Sequence, residues 1–145
     1  MEAKLITSTE EFYSLKDDWE ELQEQDPDVT YYSTFEFNKA WWNVYKEADD
    51  KSLFIICIYH NNKVVGIAPF IIEEHKKAIF SWKVLKFLGR GDYLGVIIDS
   101  KEGNELTIIK EIFKVIEKFE DKWDRIQLTH IKHNSLLAFY LLKSP

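Results

Sequence analysis

Two long apolar runs lie in the middle of the sequence, and only two asparagines separate them. The runs are 53-LFIICIYH-60 and 63-KVVGIAPFII-72, with Asn61 and Asn62 between them. β-Branched and aromatic residues favour strands, and asparagine tolerates the positive φ angles that a tight hairpin turn requires. The sequence therefore predicts a β-hairpin at its centre.

Further helices and strands are predicted on both sides of this hairpin. Residues 3–7 predict a first strand, and Ser8 with Glu11 forms a capping box that starts a helix; Ser33 with Glu36 forms a second one. The other predicted strands cover residues 78–88, 94–99 and 124–131, and the other predicted helices cover residues 104–118 and 135–143. The order β-α-α-β-β-β-β-α-β-α predicts an α/β (α+β) domain with a mixed, mainly antiparallel sheet and helices on both of its faces.

The predicted helices carry apolar stripes at helical spacing. The expected buried positions are Phe12, Leu15, Trp19 and Leu22 in the first helix, Phe37, Trp41 and Tyr45 in the second, and Leu106, Ile109, Phe113, Ile116 and Phe119 in the third. The closing helix over 135–143 is apolar on more than one face, which is typical of a helix in an interface. We expect this helix to promote self-association.

The composition excludes several classes of protein. The 145 residues, 46% of them hydrophobic, fit one folded domain over 1–145. The formal net charge is −6 and the basic residues are scattered, which argues against a nucleic-acid partner. Cys57 is the single cysteine, the N-terminus has no signal-peptide pattern, and no apolar run approaches the roughly 20 residues of a membrane span. A cytoplasmic protein is expected.

Three glycines lie close together in 86-KFLGRGDYLGVIID-99. Two of them, Gly89 and Gly91, have the spacing of the pyrophosphate-binding loop of GNAT-type N-acetyltransferases, which reads Gln/Arg-x-x-Gly-x-Gly/Ala. Lys86 stands at the first position of that pattern, and no helix is predicted directly after Gly91. Gly89 and Gly91 are therefore candidate cofactor-binding residues, and a turn between two strands is the alternative.

The residues beside these glycines are candidates for a binding cleft. Asp92 and Tyr93 could lie at the rim of a cleft, or Asp92 could only bond the backbone of the turn. Pro69 lacks a backbone donor, so its strand is an edge there, or bulges, or opens a cleft.

The other polar clusters favour structural interpretations. His130 and His133 are three residues apart, but no third ligand of suitable spacing lies near them, so no metal site is predicted. Glu73, Glu74 and His75 are expected in a solvated turn. No catalytic residue is identified.

Several segments, taken in order, resemble the N-terminal half of GNAT-like acyltransferases that carry two GNAT folds in tandem, some of them tied to cellulose biosynthesis. The matching segments are Trp19 to Leu22, 35-FEFNKAWW-42, 65-VGIAPF-70, 87-FLGRGDYLGVIID-99 and 122-KWDRIQLTHI-131. The resemblance implies that this chain is the first half of a tandem pair. It also implies that acetyl-CoA or another acyl-CoA is handled mainly by the second half, with no cofactor bound by this chain alone.

The same resemblance implies a substrate and a set of residues for it. It places the Gly-Asp-Tyr loop near the cleft between the halves, so that Arg90, Asp92 and Tyr93 would orient a small-molecule amine while Trp41 and Trp42 wall the cleft. The alternative is a non-catalytic GNAT-like module that uses this surface to pair with another domain or with itself.

Overall fold

A computed structural model describes residues 1–101, 103–131 and 135–143. These residues form six strands and five α-helices, together with two short 3₁₀ turns at Tyr31–Ser33 and Glu120–Lys122. The strands are β1 (Glu2–Ile6), β2 (Lys51–His60), β3 (Lys63–Lys77), β4 (Phe80–Phe87), β5 (Ile97–Ile98) and β6 (Arg125–Ile126). The helices are α1 (Thr9–Tyr13), α2 (Lys16–Gln25), α3 (Phe35–Tyr45), α4 (Glu105–Lys118) and α5 (Leu136–Lys143).

The strands form one sheet in the order β1-β2-β3-β4-β6, and β5 pairs with the first part of β3. The pairs β1–β2, β2–β3, β3–β4 and β3–β5 are antiparallel, whereas β4 and β6 run parallel. α4 connects β4 to β6 as a crossover, which a parallel pair requires. The predicted mixed, mainly antiparallel sheet is confirmed.

The central hairpin is confirmed at the predicted turn. Asn61 and Asn62 have φ angles of 52° and 62°, and His60 pairs with Lys63 across the turn. Positive φ at both central residues defines a type I′ turn, whose twist matches that of the two strands. The turn sets the register of the first two pairs, and an irregularity between Ile58 and Tyr59 shifts the rest of the two strands by one residue.

The hairpin strands are apolar on both faces because helices cover both faces of the sheet. Leu53, Ile55 and Cys57 pack in one core with residues of α1, α2 and α3, whereas Phe54, Ile56 and Ile58 pack in a second core with α4. A strand covered on both sides loses the alternation of apolar and polar residues and becomes a continuous apolar run. This arrangement confirms the predicted helices on both faces.

The predicted first helix is two helices. The Ser8 side chain accepts a hydrogen bond from the Glu11 N–H at 3.1 Å, as the capping box predicts. The Ser14 hydroxyl then donates to the Glu11 carbonyl at 2.7 Å, and the helix is interrupted between α1 and α2. All four predicted stripe residues are nevertheless buried. The Trp19 indole N–H donates to the Ser33 carbonyl at 2.9 Å.

The second predicted cap is wrong by one residue. Thr34, not Ser33, caps α3, because the Thr34 hydroxyl accepts the Phe37 N–H at 3.2 Å while Ser33 is buried in the preceding 3₁₀ turn. The buried residues of α3 are Phe35, Asn38 and Trp42. The stripe predicted for this helix therefore lies beside its most buried face.

The buried face of α4 is rotated from the predicted stripe. Its buried residues are Ile108, Ile109, Ile112, Val115 and Ile116. Leu106 is 42% exposed, and its predicted burial is wrong. The buried stripe is centred near Ile112, and Leu106 lies about 120° round the helix from that residue.

Pro69 marks the point where β3 changes its partner strand. β5 pairs with Gly66 and Ile67, and β4 pairs with β3 from Phe70 onward. The Pro69 carbonyl accepts the Leu88 N–H at 2.8 Å. Because the N–H and C=O of one strand residue point to the same side, the donor that Pro69 lacks would point towards the gap between β4 and β5. The missing donor therefore falls at the change of partner strand, and the cleft predicted at Pro69 stays a prediction, because Pro69 lines neither of the two cavities described below.

The predicted strands over 94–99 and 124–131 are shortened to the two-residue strands β5 and β6. Leu94 and Ile131 form an isolated parallel bridge, in which the Leu94 N–H donates to the His130 carbonyl at 2.9 Å. The chain after β4 thus diverges from β6, and it meets the segment that follows β6 at one point, the bridge between Leu94 and Ile131. The space opened by this divergence contains part of the candidate site.

Candidate functional site

The glycine-bearing segment of residues 88–96 separates two cavities, and Leu94 lines both of them. The first, about 440 Å³, lies between the loop of residues 26–33, the segment of residues 93–100 and the first turns of α4 and α5. The second, about 260 Å³, lies between residues 86–91 and residues 129–130. We call them the acidic cavity and the basic cavity, because of their charged side chains.

The acidic cavity combines apolar walls with carboxylates. Its apolar lining includes Leu94, Val96, Ile98, Leu137 and Phe139. Among the described residues that line it, the charged ones are Asp26, Asp28 and Glu105, all acidic. A cavity of this kind suits a ligand with an ammonium group on an apolar body.

Asp26 fixes one wall of the acidic cavity. The side chain is 9% exposed, and its two carboxylate oxygens accept the backbone N–H groups of Asp28 and Ile98, both at 2.8 Å. Burial raises the pKa of the Asp26 carboxyl, and the two backbone donors oppose that effect. Sequence reasoning misses this residue. The available signal is Asp26-Pro27-Asp28 directly after a helix, a composition typical of a side-chain-bonded turn.

The basic cavity has the opposite charge. Lys86 and Arg90 are the charged residues among its described lining, His130 adds an imidazole, and Gly89 and Gly91 contribute backbone. Two cavities of opposite charge therefore lie on either side of Leu94.

Aromatic packing explains why two of the glycines are glycine. A Cβ at Gly89 would lie 2.7 Å from the Phe37 ring, and a Cβ at Gly91 would overlap the Tyr32 ring. A pyrophosphate loop needs a helix that begins directly after the glycines, because the N-terminus of the helix binds the anion. Here the next helix, α4, begins only at Glu105, and the carboxylate of Glu105 in its first turn would repel an anion. The described residues do not fit the pyrophosphate of an acyl-CoA at these glycines. Their cofactor-binding role stays a prediction that the observed contacts do not support.

The predicted substrate-binding residues of the glycine segment are divided between the two cavities. Tyr93 lines the acidic cavity, and its carbonyl accepts the Thr30 hydroxyl at 2.8 Å. Arg90 lines the basic cavity. Asp92 is exposed and lines neither of the two cavities.

The two predicted tryptophans lie in α3, away from both cavities. Trp42 is buried in the core beneath α1, and its indole N–H donates to the Thr9 hydroxyl at 2.9 Å. Trp41 packs against Tyr45 with 4.3 Å between ring centroids. The structure thus does not bring the tryptophans together with Arg90 and Tyr93.

The acidic turn predicted around Glu73 is instead the far part of β3. Glu73 is buried and forms ion pairs with Lys86 at 3.5 Å and Lys51 at 3.6 Å, and its carboxylate lies 2.9 Å from the His75 Nε2. Lys51 stands directly opposite Glu73 in the β2–β3 register, so the long hairpin brings this network together. The prediction of a solvated turn is wrong because β3 is five residues longer than the apolar run that predicts it.

The remaining candidates give no site. His130 is exposed, with a φ of 61°, whereas His133 lies outside the described residues. The described part of the chain contains no cluster of three or more metal-ligating side chains. Burial raises the pKa of the Cys57 thiol to about 12, so this cysteine is a poor nucleophile.

No protein-family model matches the sequence, and no curated protein matches it. Solved structures do match the fold. A ribosomal-protein-alanine N-acetyltransferase from Brucella melitensis biovar Abortus 2308 matches with a TM-score of 0.52 and 7% identity, over 100% of this chain and 92% of that one. An aminoglycoside acetyltransferase from an uncultured soil metagenomic sample matches with a TM-score of 0.52 and 10% identity, over 99% and 91%.

A probable acetyltransferase also matches, with a TM-score of 0.54 and 8% identity, over 100% of this chain and 90% of that one. At such low identity the likeness shows the fold alone. The chain has the mixed α/β fold of the GNAT acyl-CoA N-acyltransferases, as the sequence resemblance implies. Within the described ranges, no helix combines the length and the apolar character that crossing a bilayer requires.

Proposed function

We propose that this chain forms the acceptor side of an N-acyltransferase and binds a small amine in the acidic cavity. The observation that carries the proposal is that each charged residue in the described lining is a carboxylate. Glu105 and Asp28 hold the ammonium group, and Tyr93 borders the cavity. The solved acetyltransferases of the same fold support an acyl-transfer role, and one of them is named for an aminoglycoside, an amine-bearing substrate class.

The chemistry requires that the amine loses a proton before it attacks an acyl group. A carboxylate beside the ammonium can accept that proton, and apolar walls limit water at the reacting nitrogen. Asp26 positions the loop that carries Asp28, because both of its oxygens accept backbone N–H groups. The acyl donor is assigned to a second GNAT-like domain, in line with the tandem resemblance. The tie to cellulose biosynthesis stays a prediction.

Binding of hexylamine tests the amine cavity. We expect saturable shifts of the Gly95 amide signal in an NMR titration of the whole chain, and no such shifts with hexan-1-ol, which lacks the charge. Asp28→Asn and Glu105→Gln should each weaken binding by about two- to fivefold, because each removes a partly solvated charge contact.

Asp92→Asn is the matched control, since Asp92 lies in the same segment but lines neither cavity. Its affinity for hexylamine should equal that of the unmodified chain. Equal binding of the amine and the alcohol would contradict the proposal, and so would a loss in Asp92→Asn as large as the loss in Glu105→Gln.

One observation favours a second function, pairing with another copy or another GNAT-like domain. In α5, Phe139 is 49% exposed and Leu142 is 83% exposed, while Leu137 of the same helix is buried in the core. Exposed apolar side chains on a helix of this kind often mark an interface. This surface is a candidate for the predicted self-association.

Light scattering over about a hundredfold range of concentration tests the pairing. We expect the apparent mass to rise with concentration, and Leu142→Glu to keep the chain monomeric because it places a charge in the interface. Val44→Glu is the control, because Val44 is 73% exposed on α3. A monomer at every concentration would reject this function.

A further inference from the structure

We propose that the hairpin between β3 and β4 binds an anionic lipid surface, with Ile79 and Phe80 inserted between the lipid headgroups. Both apolar side chains stand at the tip of this hairpin, where Ile79 is 92% exposed and Phe80 is 69% exposed. Large apolar side chains exposed together mark a protein interface or a membrane contact. The charges and the size of the tip favour the membrane.

The tip lies at the end of a two-stranded arm, residues 75–82. Among the described strands, β2 pairs with β3 no further than Glu73, and β6 pairs with β4 at Val84 and Leu85. Beyond these points the two strands of the arm pair only with each other, and residues 76–81 are all exposed. The arm therefore extends past the end of the sheet and presents its tip to the surroundings.

The turn at the tip has an unusual composition. Its two central residues are Ala78 and Ile79, since Lys77 pairs with Phe80, and Ala78 has a φ of 56°. Glycine, asparagine and aspartate are the usual residues at positive φ in a turn, whereas alanine adopts this conformation with some backbone strain. Neither the turn geometry nor the packing of the core accounts for Ile79 and Phe80, whereas insertion into a lipid surface does.

The arm carries the charge that an anionic surface attracts. Residues 75–90 include basic side chains and no acid, in a chain with a net charge of −6. Lys77 and Lys83 form no ion pair with any described residue. Glu74, at the base of the arm, is paired with Lys76 at 3.6 Å. The free lysines therefore give the arm a local positive charge, which juxtaposed anionic lipids would neutralise.

Phe80 and Trp82 lie on one face of the arm. Residues directly opposite each other in an antiparallel pair point to the same face, so the pairs Lys77–Phe80 and His75–Trp82 share a face. The half-buried Trp82 ring stacks on the His75 ring, with 5.5 Å between the ring centroids. An indole beneath an apolar tip is typical of the membrane–water interface, where aromatic rings lie at the level of the headgroups.

A protein partner fits the tip less well than a lipid surface does. Full burial of an aromatic side chain covers about 150 to 250 Å², so a tip of two apolar side chains falls short of the roughly 1,200 Å² that a specific protein interface buries. Lysine is depleted at protein interfaces, whereas membrane anchoring combines a small apolar insertion with a basic patch. The arm lines neither the acidic nor the basic cavity, so the inference does not depend on the proposed function.

Co-sedimentation of the whole chain with lipid vesicles tests the inference. We expect binding to vesicles of phosphatidylglycerol and phosphatidylcholine in equal parts, and binding to phosphatidylcholine alone that is about tenfold weaker or more. Added salt should weaken the binding, because it screens the attraction between the lysines and the lipids. Vesicles should also shift the tryptophan emission to shorter wavelength, and most of this shift should be missing in Trp82→Phe.

Substitutions in the arm separate the apolar part of the binding from the charged part. The double variant Ile79→Ser, Phe80→Ser should weaken vesicle binding about tenfold or more, because it removes the inserted side chains. Lys77→Gln should weaken it about fivefold, because one lysine near an anionic surface is lost. All three residues are exposed, so the thermal midpoint of unfolding should stay unchanged and show that each variant is folded.

Leu106→Ser and Lys101→Gln are the matched controls. Both residues are exposed, and Lys101 lies beside Asn61 at the opposite end of the sheet from the arm. Both controls should bind the anionic vesicles as the unmodified chain does. The inference is overturned if the chain binds no vesicle, if the arm variants bind like the controls, or if the double variant changes only self-association in light scattering, which would identify a second copy as the occupant.

Discussion

Replacement of Ile109 by alanine is expected to lower the free energy of unfolding by about 3 to 4 kcal/mol. Ile109 is fully buried in the core that α4 forms with the sheet, so that truncation removes apolar contacts and leaves a cavity. Urea titration followed by tryptophan fluorescence measures the effect. The slope of the transition should stay unchanged, because the fold itself is retained.

Leu106→Ala provides the matched control in the same helix. Leu106 is 42% exposed in the first turn of α4, so its truncation should cost less than about 1 kcal/mol. The apolar pattern of the sequence predicts similar costs for the two changes, whereas the observed orientation of α4 predicts a large difference. Equal losses in both variants would show that the orientation of α4 is wrong.

Asp26→Ala is expected to cost about 2 to 4 kcal/mol of unfolding free energy, because it leaves the N–H groups of Asp28 and Ile98 without their carboxylate acceptor. The Ile98 N–H is the more costly loss, since this hydrogen bond is buried. The loop of residues 26–33 would lose its attachment to β5, and hexylamine binding should fall with it. Asp28→Ala is the control for stability, because it keeps the backbone N–H that Asp26 accepts.

The cost of Asp26→Ala should also depend on pH. The pKa of the Asp26 carboxyl is raised by burial, so the folded chain holds the proton more tightly than the unfolded chain. The stability that this group contributes is fully present below its unfolded pKa and is lost as the pH rises through its folded pKa. The difference in unfolding free energy between the two chains should therefore shrink as the pH rises past the unfolded pKa of an aspartate, about 4. Growth of that difference with pH would mean that the two backbone donors outweigh burial.

Part of the basic cavity was within reach of sequence reasoning, whereas the acidic cavity was mostly hidden from it. Gly89 and Arg90 of the basic cavity, and Tyr93 of the acidic cavity, attract notice because three glycines fall close together after a strand. Asp26 and Glu105 do not, since each is an ordinary acid beside a helix end. They meet at one cavity only because β5 returns to β3 and brings residues 93–100 beside the loop of residues 26–33.

The sequence by itself determined the features that depend on neighbouring residues. Asn61 and Asn62 set the hairpin turn, Ser8 starts α1, and the continuous apolar runs require a sheet covered on both faces. Each of these follows from backbone preferences or local hydrogen bonds, which act over a few residues of chain. They were sufficient to predict the class of fold.

Only the tertiary structure decided which glycines, acids and apolar faces meet. The rings of Tyr32 and Phe37 require glycine at positions 91 and 89, although more than fifty residues of chain separate the partners. The packing of α4 against the sheet likewise decides which face of the helix is buried, and the apolar pattern of the helix alone does not. Long-range packing selects one arrangement among several that the local pattern allows, because the free energy of burial depends on contacts that a one-dimensional pattern does not contain.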